Sequence, residues 1–265
     1  MTNILDIIIK HKLSEVAESK KNKPIENLVA TAKKKSDKSR FIDCLLNTQR
    51  KNLPALIAEC KKGSPSRDII VKNYDPVEIA RIYQTHKASA VSVLTDSKFF
   101  YGKKEHIQQI KEVVSLPILR KDFIIDSYQI PETKALGADC ILLIAACLSK
   151  KQIQNFLLES SDYGLDALIE VHTEKELENV LSLDHKLIGI NNRNLKEFKT
   201  DISNSIKLKK LIPDSVLVVS ESGLSERKHI ERLEMHGIMA YLIGETFLSA
   251  PDIGHKIEEL FPHLK

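Results

Sequence analysis

Eight short apolar runs follow one another from residue 56 to the C-terminal region, and no other feature restricts the fold as tightly. They are LIAE (56–59), AVSVLT (90–95), PILRK (117–121), ILLIA (141–145), ALIE (167–170), LIGIN (187–191), VLVVSE (216–221) and AYLIGE (240–245). Rich in Val, Ile and Leu with few polar interruptions, they suit strands buried on both faces of a parallel sheet. Their ends recur about every 27 residues, room for a strand, a helix and two loops, and eight such units in series predict a (β/α)8 barrel. A doubly wound open sheet would normally carry a Gly-rich phosphate loop after its first strand. Here that stretch is KKGSPSRD, without G-x-G-x-x-G.

The segments between the runs carry helix signals. Asp75-Pro76 reads as N-cap and first helical residue, and Thr173 with Glu176 as a capping box. Ser149, Asp201 and Ser225 are further caps, and Gly137, Gly164 and Gly237 read as helix ends. Residues 1–50 lack strand-like runs and read as helices, with Pro24 in the first turn of PIENLVATAKKK. The expected organisation is a helical extension over 1–50, packed on a barrel over 51–265.

The 265 residues carry a net charge of +4, and its location matters more than its size. Residues 1–50 hold 11 basic and 6 acidic groups, and the rest of the chain is nearly balanced. The run Lys33, Lys34, Lys35 admits a nucleic-acid surface. There is no Trp, however, and no aromatic side chain interleaves the run, so it reads as a solvated helix end. No apolar run approaches a membrane span, and the N-terminus lacks a secretion signal. Cys44, Cys60, Cys140 and Cys147 form no C-x-x-C pair and have no His at ligand spacing. They read as reduced thiols of a cytoplasmic protein, with no metal expected.

A barrel enzyme works at the C-terminal ends of its strands. Glu59 ends the first run, and Lys61, two residues on, shares its face. Lys121 ends the third run, Glu170 the fifth, Asn191 the sixth with Arg193 two residues on, and Glu221 the seventh. Three carboxylates and two lysines converging on one barrel mouth must be paired, and their perturbed protonation suits acid–base chemistry. Ser222-Gly223 and Gly244 follow the last two strands, where barrels commonly hold a phosphate. A sugar phosphate is therefore the expected ligand class. By alternation Arg120 and Cys60 point outward toward the helices. His172, two residues beyond Glu170, reads as a hydrogen-bonded loop residue.

The stretches IAECKKGSPS (57–66), SVLTDSKFF (92–100), PILRKDFIIDSYQI (117–130), GADCILLIAA (137–146), LIEVHTEKEL (168–177), IGINNRNLKEF (188–198), VSESGLSE (219–226) and LIGETFLSAPD (242–252) carry a resemblance. The chain resembles the indole-3-glycerol-phosphate synthases of tryptophan biosynthesis. The resemblance implies closure of the indole ring from 1-(2-carboxyphenylamino)-1-deoxyribulose 5-phosphate, with loss of CO2 and water. It implies no cofactor. In it, Lys121 is the acid that protonates the ketone and Glu170 the base. Lys61 is a second acid or an anion clamp, Glu59 holds a lysine in place, and Asn191 binds hydroxyls or orients Glu170. The phosphate meets Lys61, Ser222, Gly223, Gly244 and the Glu245 amide, with Arg193 nearby and Glu221 also on the substrate. Phe100, Phe123 and Leu142 line the slot for the arene, and Ser64 meets phosphate or carboxylate. The first loop is expected to be flexible and to close over the substrate.

Three positions depart from the family's habit. FFYGKK puts Tyr101 and Lys103 where small or hydroxyl residues are frequent. Glu245 replaces a frequent Ser, and its side chain is expected to turn from the phosphate. The rival readings are a sugar-phosphate isomerase of a related barrel family and a non-catalytic nucleic-acid-binding protein. No nucleic-acid or membrane partner is expected, and the chain is expected to be a monomer or a weak homo-oligomer.

Overall fold

The computed structural model describes residues 4–34, 39–193 and 199–264. Lys35 of the lysine run and residues 194–198 of the INNRNLKEF stretch lie outside them. All eight runs become strands: β1 (Ala55–Cys60), β2 (Ala90–Leu94), β3 (Ile118–Lys121), β4 (Cys140–Ile144), β5 (Asp166–Val171), β6 (Leu187–Asn191), β7 (Leu217–Glu221) and β8 (Ala240–Ile243). Each pairs in parallel with its sequence neighbour, and β8 returns to β1, closing the barrel. Helices occupy the connections, so the fold is a (β/α)8 barrel.

Strand alternation sorts the apolar residues into two cores. One set, including Ile57, Leu119, Leu142, Leu168, Val219 and Leu242, fills the barrel. The alternate set, including Leu56, Val91, Ile118, Ile141, Ile169 and Tyr241, packs beneath the helices. Cys60 belongs to the outer set and Cys140 to the inner one. Both are buried, whereas Cys44 and Cys147 are half-buried, and all four thiols are free.

Three helices precede the barrel: α1 (Ile4–Asn22), α2 (Ile25–Lys34) and α3 (Phe41–Gln49). Phe41 and Leu45 of α3 join the inner core. The Asp166 carboxylate, at the start of β5, accepts from Ser39 Oγ and from Ile42 N–H, fixing the start of α3. Pro24 lies just ahead of α2 rather than inside it.

The expected caps fared unevenly. Asp75 accepts from the N–H groups of Val77 and Glu78, and Ser149 with Gln152 forms a full capping box. Thr173 accepts from Glu176 N–H, but the Glu176 carboxylate reaches back to His172 N–H, so the box is not reciprocal. Asp201 accepts from Ser203 N–H. Ser225 is not a cap: Glu226 precedes the helix Arg227–Glu234 without a side-chain cap, and Ser225 N–H donates to His229. Gly137, Gly164 and Gly237 all have positive φ at helix ends.

Candidate active site

All fifteen residues expected at the site line one cavity of about 1520 Å³ at the C-terminal ends of the strands. The barrel geometry explains the convergence, because Glu59, Lys121, Glu170, Asn191 and Glu221 all occupy inward-facing positions at or next to their strand ends. Lys121 Nζ donates to Glu170 Oε2 at 3.0 Å and to Glu221 Oε2 at 2.6 Å. Asn191 Nδ2 donates to Glu170 Oε1 at 3.1 Å, and Asn191 Oδ1 accepts from Arg193 N–H at 3.0 Å. On the other side of the mouth, Lys61 Nζ lies 2.6 Å from Glu59 Oε1.

Two glycines make room for these carboxylates. A Cβ on Gly189 would fall 2.1 Å from Glu221 Oε1, and one on Gly244 would fall 2.7 Å from Glu59 Oε1. Both contacts are too short for any other residue to stand there unchanged.

The charges sort themselves by their neighbours. Burial disfavours the Lys121 ammonium, but Glu170, Glu221 and Glu59 outweigh it and raise the lysine above its ordinary pKa. Burial also opposes ionisation of Glu170. Lys121, His172 and the Asn191 bond overcome that, so Glu170 is held below the usual carboxylate range. Glu221 goes the other way. Burial raises it, Lys121 only partly compensates, and the like charges of Glu170 and Glu59 raise it further. Two carboxylates sharing one ammonium thus divide into a committed anion and a readily protonated acid.

The apolar side of the cavity holds Phe100, Phe123 and Leu142, with Ile4, Leu5 and Ile8 of α1. The Phe100 and Phe123 rings stand 6.0 Å apart between centroids at 42°. Opposite lie Ser222, with a φ of 67°, Gly223, with a φ of 76°, and Gly244.

The first loop carries local structure of its own. Gly63–Ser64 and Asp68–Ile69 pair as a small antiparallel hairpin. Arg67 Nε donates to Glu245 Oε1 at 2.9 Å, and Arg193 donates to Ser66 Oγ at 2.6 Å and to Glu245 Oε2 at 3.0 Å. Burial would raise Glu245, but Arg193, with Lys61 and Arg67, lowers its pKa. Its carboxylate bridges two arginines at the mouth. Tyr101 also joins this rim, its hydroxyl donating to Asp68 in the hairpin.

Arg120 is fully buried and reaches helix Gln129–Leu136, donating to Gln129 O and Thr133 Oγ1 and pairing with Glu132. His172, just beyond β5, stands between two carboxylates. Its Nε2 lies 3.4 Å from Glu170 Oε1 and its Nδ1 3.5 Å from Glu176 Oε2. The i, i+4 spacing of His172 and Glu176 was the available signal. Lys12 and Asp122 gave none, because their meeting depends on where α1 docks.

A closed parallel barrel that gathers ammonium and carboxylate groups at its strand ends is a (β/α)8-barrel enzyme. A family model described as indole-3-glycerol phosphate synthase matches residues 5–260. The chain belongs to the indole-3-glycerol phosphate synthase family. It is 46% identical over 260 residues to the indole-3-glycerol phosphate synthase of Legionella pneumophila (strain Paris), covering 98% of this chain and 99% of that protein. It is 42% identical over 261 residues to that of Neisseria gonorrhoeae (strain NCCP11945), covering 98% of this chain and 100% of the relative. Among solved structures, 3-hexulose-6-phosphate synthase from Salmonella typhimurium superposes with a TM-score of 0.63 at 11% identity, covering 79% of this chain and 98% of that one. A chain of a tryptophan synthase α2β2 complex from Pyrococcus furiosus gives 0.58 at 15% identity, covering 78% and 97%. These two likenesses concern the fold alone. Among the described residues, no helix is long and apolar enough to cross a membrane.

Proposed function

We propose that this chain is a carboxy-lyase that closes the indole ring of 1-(2-carboxyphenylamino)-1-deoxyribulose 5-phosphate, releasing CO2 and water and forming indole-3-glycerol phosphate. One observation carries the reading. A half-buried ammonium, Lys121, is bonded to two carboxylates of opposite protonation tendency, between an apolar wall and a glycine-rich rim.

The chemistry follows from the groups. The substrate's ketone oxygen gains negative charge as the arene carbon attacks the carbonyl carbon, and the Lys121 ammonium is the acid that protonates that oxygen. Loss of CO2 then restores electron density to the ring. The hydroxyl departs as water while a ring proton is removed. Glu170, ionised and aimed by Asn191, is the base. Lys61, kept in place by Glu59, is a second acid for the departing hydroxyl or a clamp on the phosphate. Each such group is worth roughly 10²–10⁴-fold in rate. A protonated Glu221 lessens the negative charge that an anionic substrate meets.

The phosphate seat in this reading comprises Lys61, Ser222, Gly223, Gly244 and the Glu245 amide, with Arg193 and Ser64 at its edge. Phe100, Phe123 and Leu142 line the side of the cavity that meets the arene, where an apolar wall favours a flat ring. Residues 1–50 are read as a helical extension on the 51–265 catalytic barrel, and the enzyme as cytoplasmic. We expect no nucleic-acid partner and at most weak self-association.

The test is to mix the purified chain with the carboxyphenylamino ribulose phosphate and follow indole fluorescence and CO2 together. Both signals should rise in equal amounts. Turnover without CO2 would instead indicate a sugar-phosphate isomerase.

A further inference from the structure

Lys12 lies in the middle of α1, within the stretch HKLSEV. In the structure it is fully buried. An ammonium taken out of water is costly unless well paired, and this one is: Nζ lies 2.9 Å from Glu15 Oε2, 3.0 Å from Asp96 Oδ2 and 2.9 Å from Asp122 Oδ1.

Asp96 and Asp122 follow different strands, and each fixes the backbone next to one of the two paired rings, Phe100 and Phe123. Asp96 N-caps the single turn Ser97–Phe100, accepting from Phe99 N–H at 2.8 Å. Asp122 follows Lys121 directly, and its Oδ1 accepts from Phe123 N–H at 2.8 Å. Its other oxygen is taken by Thr95 Oγ1 at 2.6 Å and Arg120 Nη2 at 3.1 Å. One ammonium from outside the barrel therefore ties together the two turns that present Phe100 and Phe123.

We infer that Lys12 is a positioning residue that holds the paired rings of Phe100 and Phe123 in register as one wall of a slot for a flat aromatic carboxylate. The inference rests on the reading that this slot receives the arene of the substrate. Attachment of α1 alone does not call for such an arrangement. Leu5, Ile8 and Val16 already bury an apolar stripe of the helix, and a buried ion pair adds little stability that an apolar residue could not. What it adds is registry between two loops. A shift of about 1 Å in such a wall can cost on the order of 10²-fold in a catalysed rate.

The test uses the full chain and two probes that need no turnover, anthranilate and inorganic phosphate. Lys12→Met keeps the length of the side chain but leaves Asp96 buried without its cation. Lys12→Met/Asp96→Asn removes that excess charge, and Asn still caps the Ser97–Phe100 turn. Folding is checked by circular dichroism and melting, and affinities by NMR titration. The double variant should fold, bind inorganic phosphate within about twofold of wild type, and lose roughly tenfold in anthranilate affinity. KM for the carboxyphenylamino ribulose phosphate should rise with the loss of anthranilate affinity. Unchanged anthranilate affinity, or an equal loss for both probes, would overturn the proposal, as would a wild-type chain that does not bind anthranilate. A wild-type chain that binds anthranilate but turns over no substrate would count against the proposed reaction and leave the Lys12 test intact.

Discussion

The Lys121 ammonium and the Glu170 carboxylate, carried by β3 and β5, meet at 3.0 Å above the barrel core. They form a proton donor and a proton acceptor within reach of one small molecule. Lys121→Met should reduce turnover by on the order of 10²–10⁴-fold. The fold should persist, because Glu221 is already inclined to take up a proton and the remaining charge falls on Glu170 alone. Indole fluorescence against time, with far-UV circular dichroism as the control, checks both parts. Near-wild-type turnover would remove Lys121 as the acid.

Glu170→Gln isolates the base. The amide fills the same space and retains an oxygen for Asn191 Nδ2, so the cavity should keep its shape. Turnover should fall about as far as for Lys121→Met, while KM changes by less than about tenfold. A variant that lost substrate affinity while retaining kcat would mark Glu170 as a binding group instead.

The barrel and most of its mouth were legible in the sequence because period-2 alternation fixes which end-of-strand residues turn inward. Glu59, Lys121, Glu170, Asn191 and Glu221 follow from that rule alone. Relations created by packing between distant elements were not legible. Lys12 drew no reading of its own, because nothing local shows that α1 lies across Asp96 and Asp122. Glu245 looked repulsive because Arg67, 178 residues away, could not be placed against it. Ser225 looked like a cap because the preference for Ser at helix starts says nothing about where the backbone turns.

Gly189 supports Glu221 by absence. The Cβ of Gly189→Ala would fall 2.1 Å from Glu221 Oε1, so the carboxylate must swing and its 2.6 Å bond to Lys121 must lengthen. Overpacking of this kind costs about 1–3 kcal/mol. Chemical denaturation should show a loss in that range, with a larger proportional fall in kcat than in thermal stability. An alanine variant with unaltered kcat would mean that the Glu221–Lys121 bond is dispensable.

Glu221 should also leave a signature in the pH dependence of stability. Burial, aided by the Glu170 and Glu59 charges, raises its pKa above the unfolded value despite Lys121. A group raised on folding binds more protons in the native state. Its contribution is therefore complete below the unfolded pKa and fades as pH rises through the folded one. The urea midpoint of wild type minus that of Glu221→Gln should accordingly shrink from about pH 5 to about pH 8. A difference that widened over that interval would contradict the assigned direction.

Arg120 separates stability from chemistry at adjacent positions. It points away from the substrate cavity, and its guanidinium satisfies Asp122 at 3.1 Å and Glu132 at 2.8 Å in a buried setting. Arg120→Ala leaves those carboxylates with Lys12 and Lys104 as their ion-pair partners among the described residues and opens a cavity under helix Gln129–Leu136. Breaking a buried pair in this way typically costs about 3–5 kcal/mol. The melting temperature should fall by several degrees or more, because about 1 kcal/mol moves a chain of this size by roughly 2–4 °C. Turnover per folded molecule, measured well below the melting transition, should fall far less than in Lys121→Met. If Arg120→Ala instead matched the rate loss of Lys121→Met while melting normally, Arg120 would belong to the catalytic groups and the inward–outward alternation at the end of β3 would be misassigned.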